Sequence, residues 1–151
     1  MHNHHRRRFF SRPSAWYGTV AALCGLVIPA ASAIGQPADT PPFYTCREQS
    51  ETTSTVAGIE LCTAEPTDAL TNRAVGDNLQ VRAGALVTNI DSSSISASAG
   101  LARGDVIYRI GGNNIEDSLT AADQLSIIGT SADTTVNFLR SGRPYRVKLR
   151  R

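Results

Sequence analysis

The sequence predicts an α+β domain in the C-terminal part of the chain, and three observations carry that reading. Two alternating apolar runs, Ala85-Leu86-Val87 to Ile90 and Val106-Ile107 to Ile110, have the period of half-buried strands and bracket a stretch of small residues. Residues 115–128 carry Leu119, Ala122, Leu125 and Ile128 at helical spacing. Residues 134–139 and 144–149 alternate on either side of Ser141-Gly142, the pattern of a hairpin.

Taken in order, residues 34–55 are rich in Pro, Thr, Ser, Gln and Glu with little periodicity, and read as a polar linker or loose N-terminal arm pinned at Cys46. Residues 56–61 alternate and predict a first strand. Residues 67–78 predict a helical turn or two, with Thr67 as cap and Gly76 ending it. Between the strands at 85–90 and 106–110, Ala99-Gly100-Leu101 suits a short helix closed by a residue free to take positive φ. Arg103-Gly104-Asp105 suits a tight turn that launches the next strand, which makes Asp105 a turn cap rather than a functional acid. The last helix has Asp117 or Ser118 available as cap and Gly129 to stop it. No internal repeat is visible, and about five strands and two helices fill residues 56–151.

The order strand, Ala99-Gly100-Leu101, Gly104-Asp105-Val106-Ile107, Ile110-Gly111-Gly112 and Leu139-Arg140-Ser141-Gly142 before an alternating strand resembles a PDZ domain of the bacterial HtrA-protease type. The resemblance spans residues 56–151. It implies a PDZ-like α+β fold, a partly open antiparallel barrel or sandwich of about five to six strands capped by two helices. It also implies capture of extended peptides by strand addition rather than catalysis.

In such domains an x-Φ-Gly-Φ loop precedes the strand that accepts the peptide, and Val56-Ala57-Gly58-Ile59 fits that pattern. The resemblance places backbone amides of Ala57, Gly58 and Ile59 around a terminal carboxylate, an anion nest that needs no basic side chain. Ile59 and Leu61 would alternate onto the groove, faced by a helix stripe of Ala121, Leu125 and Ile128. Ordinary core packing explains Ile59, Leu61, Leu125 and Ile128 equally well, and Gly58 is also explained as a plain turn glycine. Glu60 and Thr63 are expected to face solvent, and Arg109, Arg140 and Arg146 to form a solvated face.

Composition removes other functions. The formal charge of +2 is carried by Arg6, Arg7, Arg8 and Arg12. Removing residues 1–33 takes away these four of fifteen basic residues and none of the thirteen acidic ones, leaving −2. No basic patch or aromatic platform for nucleic acid remains. His2, His4 and His5 are the only histidines, so a product beginning at residue 34 lacks the base of Ser-His-Asp and Cys-His nucleophiles and the commonest metal ligand. No cofactor, metal site or enzymatic activity is expected.

The N-terminus has the three parts of an export signal: the arginine-rich start, an apolar core at residues 15–28 broken by Pro29, and Ala31-Ser32-Ala33 as a cleavage site. Arg6-Arg7-Arg8-Phe9-Phe10 resembles a twin-arginine signal and equally fits a general-secretory one. The expected organisation is a signal peptide at 1–33, a polar linker at 34–55 and the folded domain at 56–151, in the periplasm or secreted. Cys46 and Cys62 are the only cysteines past the signal, and in an exported chain they most simply form a disulfide. The expected function is a non-catalytic module that binds C-terminal or extended segments of envelope proteins, as an adaptor for a separate protease. The alternative is a structural component of a secretion or envelope assembly, touching the membrane only through an uncleaved N-terminal anchor.

Overall fold

Residues 41–127 and 133–150 are described by the structure, a computed structural model. The expected export signal at 1–33, Ile128 and Gly129 lie outside the described residues. Among the described residues the elements run β1 (Tyr44–Cys46), β2 (Thr53–Ser54), β3 (Ile59–Pro66), α1 (Asp68–Ala74), β4 (Ala85–Ile90), α2 (Ile95–Ser98), β5 (Val106–Ile110), β6 (Asn113–Asn114), α3 (Ser118–Ser126), β7 (Thr134–Arg140) and β8 (Arg143–Leu149). All pairings are antiparallel along the path β1-β3-β4-β5-β7-β8, with β2 also on β3 and β6 on β5. This is an open, PDZ-like antiparallel α+β fold. The elements beyond those expected are short, β1, β2 and β6; the short helix expected before Gly100 is α2, and Gly100 follows it at φ +95°.

Period-2 alternation gives the sheet two apolar faces. Ile59, Leu61, Val87, Ile107, Phe138 and Leu149 bury into one cluster, closed by Ala121 and Leu125 of α3. Cys62, Ala64, Leu86, Val106 and Leu139 bury into a second, closed by Leu70 of α1 and by Tyr44. Each large apolar side chain so buried contributes about 1.5–3 kcal/mol.

Local chemistry places the boundaries. Thr55 to Gly58 is a turn, in which the Gly58 N–H donates to the Thr55 carbonyl at 3.0 Å, so β3 begins at Ile59 rather than at Val56. The β7–β8 turn places Ser141 and Gly142 both at positive φ (50° and 74°), the geometry that follows the twist of a two-residue hairpin. Thr67 stands at the N-cap of α1, but its hydroxyl donates to the Pro42 carbonyl at 2.7 Å, tying the helix start to the N-terminal segment.

Two expectations are corrected here. Asp117 caps α3 by accepting the Thr120 N–H at 2.7 Å, so the helix starts at Ser118 and buries Ser118, Ala121 and Leu125. That phase turns Leu119 outward, 63% exposed, and Ile115 packs into the core from the preceding segment instead. Arg140 is no freely solvated side chain. It forms two charge-assisted hydrogen bonds to the buried Asp105 carboxylate, at 2.8 and 2.7 Å, and a third to the Gly100 carbonyl. Asp105 also accepts the Ala102 N–H at 2.8 Å, so its turn role includes pinning the β7 end to the turn before β5.

Candidate functional site

Strand β3 has two edges. Backbone groups of alternate residues point to opposite sides, so Ile59, Leu61 and Thr63 face away from β4. In an isolated domain that outer edge would be the place for an added strand. Here it is covered by the chain itself, by residues 44–55 within the segment read as a polar arm. β1 pairs with the far end of β3, Cys46 opposite Ala64. The Arg47 N–H donates to the Thr63 carbonyl at 2.8 Å, and the Ser50 hydroxyl accepts the Thr63 N–H at 2.9 Å. β2 then pairs with the near end, Thr53 opposite Leu61 and Ser54 opposite Glu60. The Thr55 N–H donates to the Ile59 carbonyl at 3.0 Å. β2 lies against α3 as well as β3, which places an extended segment between strand and helix.

The loop before β3 is held firmly. Gly58 sits at φ +76°, and a Cβ there would run into the Ser94 side chain, so this position takes no other residue without strain. Its carbonyl accepts the Asp91 N–H at 2.9 Å. The buried Ser96 hydroxyl donates to the Ala57 carbonyl at 2.8 Å, and Ala57 itself is buried. The Gly58 amide meets the Thr55 carbonyl, and the Ile59 amide meets Thr55 Oγ1 at 3.4 Å. Thr55 therefore supplies an oxygen acceptor to two of the three amides assigned to a terminal carboxylate. A cleft of about 200 Å³ beside this loop is lined by Glu60 and Asp91. The Ser93 backbone amide, and then its hydroxyl, hold the exposed Asp91 carboxyl below its usual range, so it stays an anion there.

Ile59, Leu61, Ala121 and Leu125 come together in a single buried cluster spanning β3 and α3, and Ile128 falls outside the described residues. Thr63 is not solvent-facing as expected. It is buried, accepts the Ser118 N–H at 3.2 Å and shares a 3.2 Å hydroxyl–hydroxyl bond with Ser118, joining β3 to the first turn of α3. The residues that sequence reasoning missed are Ser50, Thr53, Thr55, Thr63 and Ser96. Their one available signal was the β-branched pair Thr52-Thr53 running into Thr55 to Gly58, a strand-and-turn pattern inside a polar composition.

Cys46 and Cys62 are disulfide-bonded, with Cα atoms 5.5 Å apart. Cys46 is exposed and Cys62 is fully buried, so the bond fastens the arm to the core. A second cavity, about 660 Å³, opens near Phe43, Tyr44, Leu79 and Arg143, by the second cluster and remote from α3; its Arg73 and Asp77 are paired with each other at 2.7 Å. Among the described residues no group of three or more His, Cys, Asp or Glu is placed to hold a metal ion. No helix among them is long and apolar enough to cross a membrane.

The site is thus a two-faced antiparallel sheet with an extended segment, β2, lying along the outer edge of β3 and against α3. No family model matches the chain, and no curated protein matches it. Among solved structures it is similar to an HtrA-type protease, AlgW, with decapeptide, at 21% identity and a TM-score of 0.47 over 67% of this chain. It is also similar to the PDZ domain of HtrA3 bound to a phage-derived ligand, at 18% identity and a TM-score of 0.48 over 67% of this chain and 86% of that one. The chain spans 29% of the protease. At these values the PDZ-like description rests on this chain's own topology and register.

Proposed function

We propose that this protein is a non-catalytic, exported PDZ module that binds extended or C-terminal segments of envelope proteins by adding them as a strand to β3, alongside α3. The observation that carries this reading is the pairing of Thr53-Ser54 with Leu61 and Glu60 while β2 lies against α3: the space between strand and helix accepts an extended backbone. Main-chain pairing supplies affinity without demanding one sequence, which suits an adaptor that presents varied segments to a separate protease. The absence of histidine from residues 34–151 supports a binding role over nucleophilic chemistry. The three-part N-terminus and the Cys46–Cys62 disulfide support an oxidising compartment.

The test is a display library of random C-terminal peptides panned on the full chain, before and after reduction of its disulfide. Selected peptides are expected to slow hydrogen exchange at Leu61 and Thr63, the amides on the outer edge of β3. Acid and amide forms of one selected peptide then separate capture of free C-termini from capture of internal segments. Enrichment of nothing under either condition would overturn the reading.

A further inference from the structure

The outer edge of β3 is occupied along its length, but not uniformly well. β1 is anchored: Tyr44 is buried, and its hydroxyl accepts the Arg82 N–H at 3.1 Å. At the other end Ala57 is buried and bonded to Ser96. Between these fixed points no side chain of residues 45–56 is buried. Arg47, Glu48, Gln49, Glu51, Thr52, Ser54 and Val56 are exposed, and Ser50, Thr53 and Thr55 are only partly covered. This stretch adheres through backbone pairing and the hydroxyls of Ser50 and Thr55. Such bonds contribute little net stability where water competes for the same groups. Positively, the arm also brings Arg47 close enough to the N-terminus of α3 to help hold the Asp117 carboxyl below its usual range, a smaller effect than the Thr120 amide.

Taken together, a strap is tied at both ends, laid in a groove and unanchored in the middle. We propose that residues 47–56 are an intramolecular ligand of the β3–α3 groove, which an incoming peptide must displace. The inference rests on the peptide-binding reading and deepens it, because it assigns the groove a resident competitor and a regulation. Tethering gives the strap an effective concentration in the millimolar range, so a weak segment is kept out. A segment that offers the same main-chain bonds and also buries an apolar side chain gains what the strap lacks, because covering apolar surface removes it from water. The strap thereby sets a threshold: the partner it admits is an extended segment with an apolar anchor, and polar Ser/Thr segments like Ser50 to Thr55 are rejected in trans.

The test uses the full chain and Thr53→Pro, which removes one donor from β2 and leaves the disulfide and core untouched. A second variant, Thr55→Val, deletes the hydroxyl that bonds Ile59 and keeps the shape. Two probes are used: a synthetic peptide of residues 50–55 with a free carboxylate, and the tightest peptide from the library. In the unmodified protein the Leu61 amide is expected to exchange well ahead of amides deep in β4 and β5, through opening of the strap alone. Both variants are expected to bind the library peptide about tenfold or more tightly than the unmodified chain, and to bind the 50–55 peptide where the unmodified chain does not. Equal affinity of the library peptide for all three proteins, or Leu61 exchange only with global unfolding, would overturn the strap while leaving peptide binding intact. Capture of the 50–55 peptide by the variants with no library binder in any form would instead support the strap and defeat the reading that external peptides are the ligands.

Discussion

At the scale of single residues, Asp105 is a buried charge held from several sides. It is 1% exposed and answers one backbone amide and two guanidinium nitrogens, whereas Arg140 is 42% exposed on its side chain. The hydrogen bonds to Asp105 push the Arg140 guanidinium still further above its already high range. Asp105→Ala is expected to cost about 1–3 kcal/mol, the range for leaving a buried donor unmade and losing charge-assisted bonds. Chemical denaturation measures it. Peptide binding should survive, because neither residue touches β3. Arg140→Lys is expected to recover only part of the loss, since an ammonium cannot span both carboxylate oxygens and the Gly100 carbonyl together. Gly58 tells the opposite story for its side of the sheet. The sequence allowed it a modest role as a turn glycine or a groove amide. Its positive φ and the Ser94 side chain beside it make Gly58→Val a stability variant first, so loss of peptide binding in that variant would not by itself identify a binding residue.

At the scale of elements, the start of α3 is set by one carboxylate. Asp117 accepts the Thr120 amide, and that bond, ahead of the Thr120 hydroxyl and nearby Arg47, holds its carboxyl below the ordinary value. A depressed folded value means the cap's contribution is complete above the usual carboxylate range and is lost as pH falls through the folded value. Thermal melts from neutral pH downward should therefore show an acid-dependent loss that Asp117→Asn flattens, because asparagine caps without titrating. An identical acid slope in the variant would place the dependence on other carboxylates, Asp91 and Asp133 among them. The same helix shows what sequence could and could not convey. Its existence, with Asp117 or Ser118 as its cap, was readable from spacing and cap chemistry, and the structure selects Asp117. Its phase was readable in two ways, with Leu119 and Ala122 or with Ala121 beside Leu125, and the cap position decides that Ala121 and Leu125 turn inward while Leu119 turns out. Strands β4, β5, β7 and β8 were legible because alternation reports a half-buried pleat directly. β1 and β2 were not, since edge strands that bury almost nothing carry almost no apolar period, and Thr53-Ser54 is held by main chain alone. The candidate site was thus half legible: that Ile59, Leu61, Ala121 and Leu125 turn inward could be read from the residues, as core or as groove, and the pairing of Thr53-Ser54 with β3 could not.

At the scale of the whole molecule, a covalent bond and a buried tyrosine fasten the arm to the sheet beside its main-chain pairing. Cys46 and Cys62 lie 16 residues apart, and their bond closes the loop that contains the strap, the turn at Gly58 and the start of β3. Cross-linking a loop of about that length removes unfolded-state entropy worth roughly 3 kcal/mol. Replacing the exposed partner by serine and the buried one by alanine, Cys46→Ser with Cys62→Ala, is therefore expected to lower stability by about that amount in equilibrium denaturation. The folded sheet should persist, because Tyr44, Ala64 and Leu70 still pack together without the sulfurs. The loss should appear in two places that a simple cavity would not touch together. Global stability falls, and exchange at Thr63 accelerates beyond what the global change accounts for, since Ser50 and Arg47 hold Thr63 only while the strap's leading end is fixed. Unchanged stability and unchanged Thr63 protection would mean that Tyr44 alone secures the arm. The disulfide would then add nothing to what holds the arm against β3.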